Sequence, residues 1–534
     1  RRALSPGRAA PRWCLASGPL PSGIHQSPRV GAAMALTSPR WAAVAAPLSL
    51  AAALLAFVFW RRRRSWWLQL DRGRKSPRPF YRVVEEEGSS KAELLHEEMA
   101  ASATHIAAAH SLEQPVVIAM VGLPARGKSY VVKLLCRYLR WIGFEVQVFN
   151  VGAYRRRHLQ LAGAQSNFFS SSNSQGMRIR EEMAEAVQQE LYDWFRDRGE
   201  GKHRIAIFDA TNTTRDRRRM LARRARQEHA FLLFVESICT DEEILQRNYR
   251  LKLQNDDYKD MDPEVALSDF MARVKAYEAV YETIEDDEDD GGVAYIKLIN
   301  VGQKVITRLC TGYLPSQIAF YLQNAHIQPR KIWLTLYAEN RDHQNGILGS
   351  ESATMTEAGR QYSLDLAKFV NSKQEELEGP GRDVLVLAGT HMVDAETVLH
   401  LKAHYPLYQT PVLNELRGGM FHGMNREEIK KLYPEEVAKR EADKLNYRYP
   451  GTNGESYVDV IERVRPIIIE LERQRRSVVM VCHLAVLRCI FAYFRGVATE
   501  ELPRLQFDMH RVYELSPGPF GTEVHVHDPS EVQY

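Results

Sequence analysis

The stretch that decides the first fold is Pro115-Val-Val-Ile-Ala-Met-Val-Gly122-Leu123-Pro124-Ala125-Arg126-Gly127-Lys128-Ser129. Its first seven residues are apolar and rich in β-branched types, the composition of a buried strand. Gly122 to Ser129 reads G-x-x-x-x-G-K-S, a phosphate-loop pattern. Val131, Leu134, Leu135, Tyr138, Leu139 and Ile142 then recur at helical spacing, which completes the strand, loop and helix that the pattern requires. Glycine at 122 and 127 lets backbone N–H groups turn toward phosphate oxygens, and the helix N-terminus adds its positive dipole. Lys128 has the reach for the β- and γ-phosphates of a nucleotide, and the Ser129 hydroxyl is a ligand type for Mg2+.

A second apolar run, Ile205-Ala-Ile-Phe-Asp209, ends in an aspartate, the arrangement that positions Mg2+ beside a phosphate loop. It continues into Ala210-Thr211-Asn-Thr-Thr-Arg215, then Arg217 and Arg218. A similar basic group stands at Asn150-Val-Gly-Ala-Tyr-Arg155-Arg156-Arg157. Hydroxyls and arginines past a strand end suit an anionic substrate, although a solvated helix face reads the same way. These residues predict an ATP- or GTP-dependent phosphotransferase with an anionic acceptor and leave the acceptor open.

Composition agrees with a globular chain. With 45% hydrophobic and 26% charged residues, the 534 residues are not a disordered, collagen-like or coiled-coil chain. A mean hydropathy of −0.37 excludes a polytopic membrane protein. The cysteines, Cys14, Cys136, Cys239, Cys310, Cys482 and Cys489, form no C-x-x-C pair, which argues against a disulfide scaffold and a cysteine zinc site. The net charge of +4 is uneven: residues 1–78 hold fourteen Lys and Arg against one acid, Asp71, so the remainder is net negative. An acidic remainder argues against nucleic acid as a partner.

The amino-terminal part divides into a low-complexity basic leader (1–40), an uncharged stretch (41–60) and a basic segment with linker (61–111). Trp41 to Trp60 is long enough for a transmembrane helix and has tryptophan at both ends. Arg61–Arg64 follow at once, so the positive-inside rule leaves the catalytic parts in the cytosol. A cleaved signal peptide, an organellar transit peptide and an artefact of gene prediction are the competing readings of the same stretch.

Further motifs carry a resemblance. GLPARGKSY at Gly122, FNVGAYRR at Phe149, IFDATNTTRDRRR at Ile207, ESIC at Glu236, DYKD at Asp257 and FMARVKAYE at Phe270 resemble 6-phosphofructo-2-kinase. NEL at Asn414, YPEE at Tyr433, NYRYP at Asn446, GESY at Gly454 and VCHLAVLRC at Val481 continue it into the bifunctional 6-phosphofructo-2-kinase/fructose-2,6-bisphosphatase family, over about residues 112–526. The resemblance implies an α/β architecture: a P-loop kinase domain (112–328), then a phosphoglycerate-mutase-like, histidine-phosphatase α/β domain (329–534). It implies a homodimer that transfers the γ-phosphate of ATP, with Mg2+, to the 2-hydroxyl of fructose 6-phosphate. Gly122 to Tyr130 and Asn248 then match the ATP site. Arg155, Arg180, Thr211, Arg217, Arg273 and Tyr277 match the fructose 6-phosphate contacts. Lys128, Asp209, Cys239 and Lys252 match catalytic positions, and Ser129 with Asp209 would hold Mg2+. Two departures stand out: Ala153 replaces the family's usual acid, and the stretch from Cys239 to Lys252 is one residue short. The acidic run Glu282–Asp290 reads as a solvated loop.

In the second domain the family uses an Arg-His-Gly at the end of its first strand, with the histidine as nucleophile. Here the strand reads Ile332-Trp-Leu-Thr-Leu336-Tyr337-Ala338, so leucine and tyrosine stand where arginine and histidine belong. Val393 stands at the family's second arginine. Glu415 at the acid position, His483 at the second histidine, and Arg440, Lys444 and Arg488 at substrate positions survive as a phosphatase-like remnant. His343 and Arg341 are read as surface loop, too far along the chain to replace the nucleophile. The expectation is a kinase with an inactive bisphosphatase domain; the alternatives are a bifunctional enzyme with a rearranged second site and a nucleotide-binding scaffold.

Overall fold

The computed structural model describes residues 114–531, apart from 159–165, 171, 198–202, 255, 256, 259, 301, 326–328, 350–353, 378, 519 and 520. The expected leader, the apolar stretch 41–60 and the basic segment after it lie outside the described residues. Among the described residues no helix is long and apolar enough to cross a membrane.

Two six-stranded sheets organise these residues. The first contains β1 (Val116–Val121), β2 (Glu145–Asn150), β3 (Arg204–Asp209), β4 (Phe231–Ile238), β5 (Ala294–Ile299) and β6 (Lys304–Arg308), in the order β2-β3-β1-β4-β5-β6. Its first five strands are parallel and β6 runs antiparallel to β5. The second contains β7 (Ile332–Leu336), β8 (Val384–Ala388), β9 (Leu407–Gln409), β10 (Ser477–Cys482), β11 (Val512–Gly518) and β12 (Gly521–His527), in the order β12-β11-β7-β10-β8-β9. There β7, β10, β8 and β9 are parallel, and β11 is antiparallel to both its neighbours. Central parallel strands are covered on both faces, which is why β1, β7, β8 and β10 read as unbroken apolar runs instead of alternating ones. Parallel pairing also brings the carboxyl ends of several strands to one edge, where side chains far apart in sequence meet.

One continuous core joins the two sheets, running from Leu134 and Tyr138 to Ile332, Ile468 and Tyr493. The helix Lys128–Trp141 that starts in the phosphate loop supplies the contact. Tyr138 stacks on Tyr321 with ring centroids 4.2 Å apart, and Trp141 donates its indole N–H to the Cys489 carbonyl at 2.9 Å. Glu472, 1% exposed, accepts hydrogen bonds from Arg137, Arg330 and Tyr493.

The acidic run is not a solvated loop, which corrects the expectation above. Asp287 pairs with Arg215, Glu288 with Arg218 and Asp289 with Arg226, so the run clasps the arginine-rich helix Arg215–Gln227. Arg218 and Glu288 are 1% and 4% exposed, and the Arg218 guanidinium also donates to the Asn212 carbonyl at 3.1 Å. Two charges can be held out of water only when paired and hydrogen-bonded in this way. Arg218→Ala strands the Glu288 carboxylate, and urea unfolding is expected to show a loss of about 3–5 kcal/mol. Exposed Arg219→Ala on the same helix should change stability by less than about 0.5 kcal/mol.

Candidate active site

The first site forms where the phosphate loop leaves β1. Gly122 adopts φ 132°, and a Cβ there would lie 2.5 Å from the Ser237 carbonyl oxygen, so no side chain fits. Its N–H donates to the Thr211 carbonyl at 2.9 Å, which ties the loop to the segment after β3. Asn248 donates to the Ala125 carbonyl at 3.0 Å, and Arg126 donates to the Tyr249 hydroxyl at 2.8 Å and pairs with Glu278. Leu123 and Pro124 complete the turn and Gly127 opens the helix at φ 93°. A cavity of about 510 Å3 adjoins the loop at Gly127, Tyr130 and Asn248.

Lys128 points back into the loop and donates to the Gly122 and Leu123 carbonyls at 2.7 and 2.6 Å. Burial lowers its pKa to about 7, and the neighbouring Asp209 only partly opposes this. Burial also lowers Lys252, again against the pull of Asp209. Asp209 is raised by its own burial, while Lys128, an Asn150 hydrogen bond of 2.5 Å and Lys252 hold it down. The parallel register of β2, β3 and β1 explains the meeting: Asn150 pairs with Asp209, and Ala119 with Phe208. Ser129 is exposed at the start of the helix.

An arginine group faces this cluster. Asp257 is its hub, pairing with Arg155 at 2.6 Å, Arg273 at 3.5 Å and Arg156 at 3.7 Å. The Phe169 ring lies under both Arg273 (3.9 Å) and Arg155 (5.2 Å), and Tyr277 packs on the same ring at 5.8 Å. Arg217 sits with Tyr277, Arg180, Glu181 and Glu185, and burial lowers both Arg217 and Arg155. Asp257 and Phe169 are the residues that motif reading missed as site components. An acid inside DYKD, among so many arginines, was the available signal for the first; Phe169 carried none.

Cys239 is not one of the groups that act on Asp209. It packs with Ala125, Leu245, Tyr249 and Phe270 beneath the loop, and burial raises its thiol, so it stays protonated. Thr211 contributes its backbone carbonyl to the loop, and its side chain is half-buried.

The second site lies at the matching edge of the other sheet. Leu336 pairs with Cys482 and Val481 with Ala388, so the residues after β7, β10 and β8 emerge together. The Tyr337 N–H donates to the Cys482 carbonyl at 3.3 Å, and its ring lies 4.4 Å from that of His483. His483 Nδ1 is 3.9 Å from Glu415 Oε2. Leu336 and Val393 are absorbed into two different apolar cores. Burial, then Glu415 and Asp394, push the Tyr337 phenol above the usual tyrosine range. His343 is exposed, as a surface residue, yet its Nδ1 lies 3.2 Å from the Tyr337 hydroxyl. The cause is a one-turn helix, Arg341–Gln344, capped by the Asn340 side chain, which folds the chain back. Arg488 donates to Tyr457, with Arg440 nearby, and Arg440 and Lys444 both pair with Glu441.

Residues 104–329 match the family model described as 6-phosphofructo-2-kinase, and residues 394–528 match that of the histidine phosphatase superfamily, branch 1. The second match begins after Leu336, Tyr337 and Val393. A probable 6-phosphofructo-2-kinase of Schizosaccharomyces pombe is 35% identical over 507 residues, covering 85% of this chain and 75% of that protein. The 6-phosphofructo-2-kinase/fructose-2,6-bisphosphatase 3 of Homo sapiens is 39% identical over 411 residues, covering 77% and 76%. The corresponding Caenorhabditis elegans protein is 40% identical over 409 residues, covering 76% and 86%. With a phosphate loop on one sheet edge, a histidine-phosphatase half on the other and relatives that span both, the chain belongs to the 6-phosphofructo-2-kinase/fructose-2,6-bisphosphatase family.

Proposed function

We propose that the chain transfers the γ-phosphate of ATP to the 2-hydroxyl of fructose 6-phosphate, and that its second site no longer hydrolyses the product. The observation that carries the kinase reading is Lys128, Asp209 and Lys252 clustered at the phosphate loop beside arginines braced by Asp257. Phosphoryl transfer depends on positioning and charge neutralisation more than on a strong base. Lys128 and Lys252 meet the charge of the transferred group, while Arg155, Arg273 and Arg217 suit the sugar phosphate. The Ser129 hydroxyl and the Asp209 carboxylate are hard oxygen donors that fit Mg2+, which when bound offsets charge on the β- and γ-phosphates.

Loss of the phosphatase rests on chemistry at the second edge. The raised Tyr337 phenol leaves little phenolate to attack phosphorus, and leucine and valine at 336 and 393 bring no positive charge. Glu415 and His483 alone have no phosphoenzyme step to assist. A homodimer, and attachment to a membrane through residues 41–60 with the catalytic parts in the cytosol, belong to the same proposal. They rest on family resemblance and on Arg61–Arg64 respectively. A fusion carrying residues 34–80 should resist carbonate extraction; a shortened soluble product would favour a transit peptide.

Three assays test the reading. Lys128→Ala should lower kcat for fructose 2,6-bisphosphate formation by roughly 10²–10³-fold, since uncompensated phosphate charge raises the barrier; unchanged turnover would reject the proposed loop. Lys128 titrates near 7 in the free loop, and a bound triphosphate favours its charged form. ATP binding at about pH 8 should therefore take up a proton, measured by calorimetry in buffers of different ionisation heat, and Lys128→Met should abolish that uptake. The unmodified protein, incubated with fructose 2,6-bisphosphate labelled at the 2-phosphate, should form no phosphohistidine and release no phosphate above background; hydrolysis comparable with its bifunctional relatives would restore the bifunctional alternative.

A further inference from the structure

The edge of the second sheet carries a group that the kinase reading leaves unused. His391, Asp394 and His483 each offer one ligand atom, and all three atoms lie within 4.8 Å of one another. They come from beyond two strand ends, His391 and Asp394 from the cap and first turn of the short helix Met392–Thr397 after β8, and His483 from the end of β10. Asp394 is fully buried and His483 is 2% exposed. Asp394 Oδ2 is 3.2 Å from His483 Nε2, while Asp394 Oδ1 and His483 Nδ1 are buried without a hydrogen bond. A carboxylate oxygen held out of water without a donor is costly, and a cation held by the same carboxylate lowers that cost. Space is kept for the carboxylate by Gly389, where a Cβ would sit 2.2 Å from Asp394 Oδ2.

We propose that His391, Asp394 and His483 bind a divalent transition-metal ion of the zinc type, so that the former phosphatase cleft has become a metal site. The dimensions fit. With metal–ligand bonds of about 2.0–2.1 Å, neighbouring ligands of a tetrahedron lie about 3.3 Å apart, close to the 3.2 Å between His483 Nε2 and Asp394 Oδ2. Two imidazoles with one carboxylate favour zinc over Mg2+, which prefers an all-oxygen shell. Coordination through His483 Nε2 leaves Nδ1–H facing Glu415 Oε2 at 3.9 Å, the outer carboxylate that commonly orients a ligating histidine. His391 is half-buried and its ring stands edge-on to His483, centroids 5.1 Å apart, so the third ligand borders solvent. Three protein ligands leave one tetrahedral position for water.

The test uses the purified full chain, stripped with a chelator and titrated with Zn2+ in excess Mg2+, so that oxygen-only sites are filled. One Zn2+ per chain is expected, with a rise in thermal midpoint and, for Co2+ in its place, visible absorption of a nitrogen-ligated ion. Asp394→Asn and His391→Gln should each remove that equivalent and the absorption while leaving the rate of fructose 2,6-bisphosphate synthesis unchanged. Glu415→Gln should weaken binding roughly 10–100-fold without abolishing it. If Asp394→Asn fails to fold, the half-buried His391→Gln decides alone. No bound Zn2+, or one that persists in His391→Gln, would overturn the site and leave a buried His–Asp pair. Neither result bears on the kinase, whose rate is read separately in the same samples.

Discussion

The carboxylate of Glu472 is the point on which the two halves depend. It is buried where the helix Lys128–Trp141, the segment leading into β7 and the helix Leu484–Arg495 converge, and it takes hydrogen bonds from all three. A charge in that position has no water to fall back on, so its partners cannot be varied independently. The helix it anchors begins in the phosphate loop. Placement of Lys128 is thereby coupled to the other half of the molecule. This gives a physical reason for the second half to be kept whatever its strand-end cleft does: its helices and Tyr493 are part of the packing that holds the first helix.

What was legible in the sequence follows from how local each feature is. Pro115 to Ser129 encodes its strand, turn and helix start within fifteen residues, and the structure has β1, a left-handed Gly127 and the helix there. The strand ending in Asp209 was equally plain. The clasp of Asp287–Asp289 on Arg215, Arg218 and Arg226 was not, because each half alone reads as a solvated charged run and only the sheet order brings them together. The contact of His343 with Tyr337 was hidden for a related reason: the Asn340 cap that turns the chain back is one hydrogen bond, and counting residues from Tyr337 does not reveal it.

The same limit hid the His391–Asp394–His483 group. Arguing zinc from cysteine spacing says nothing of a site with no cysteine. The partners are separated by about ninety residues and meet through the register of β8 and β10. Arg155 and Arg273 stood out in the sequence as candidate anion-binding residues, whereas their brace, Asp257, was visible only as part of a motif. In each case the residue type was visible and the neighbour that pairs with it was not.

The hairpin of β11 and β12 has a consequence for mutational tolerance. Ser516, Pro517 and Gly518, with Gly521 and Glu523, form part of the wall of the cavity that opens beside Gly127 and Tyr130. The second half therefore presents two surfaces under different constraint. Its strand-end cleft stands apart from the first half: Val393 belongs to an apolar core built from second-half residues, with Tyr337 packed against it. Its hairpin does not, since Gly518 and Gly521 line the space next to the phosphate loop. Drift in such a molecule is channelled: the strand-end edge can change while the outer hairpin is held in shape by its neighbour.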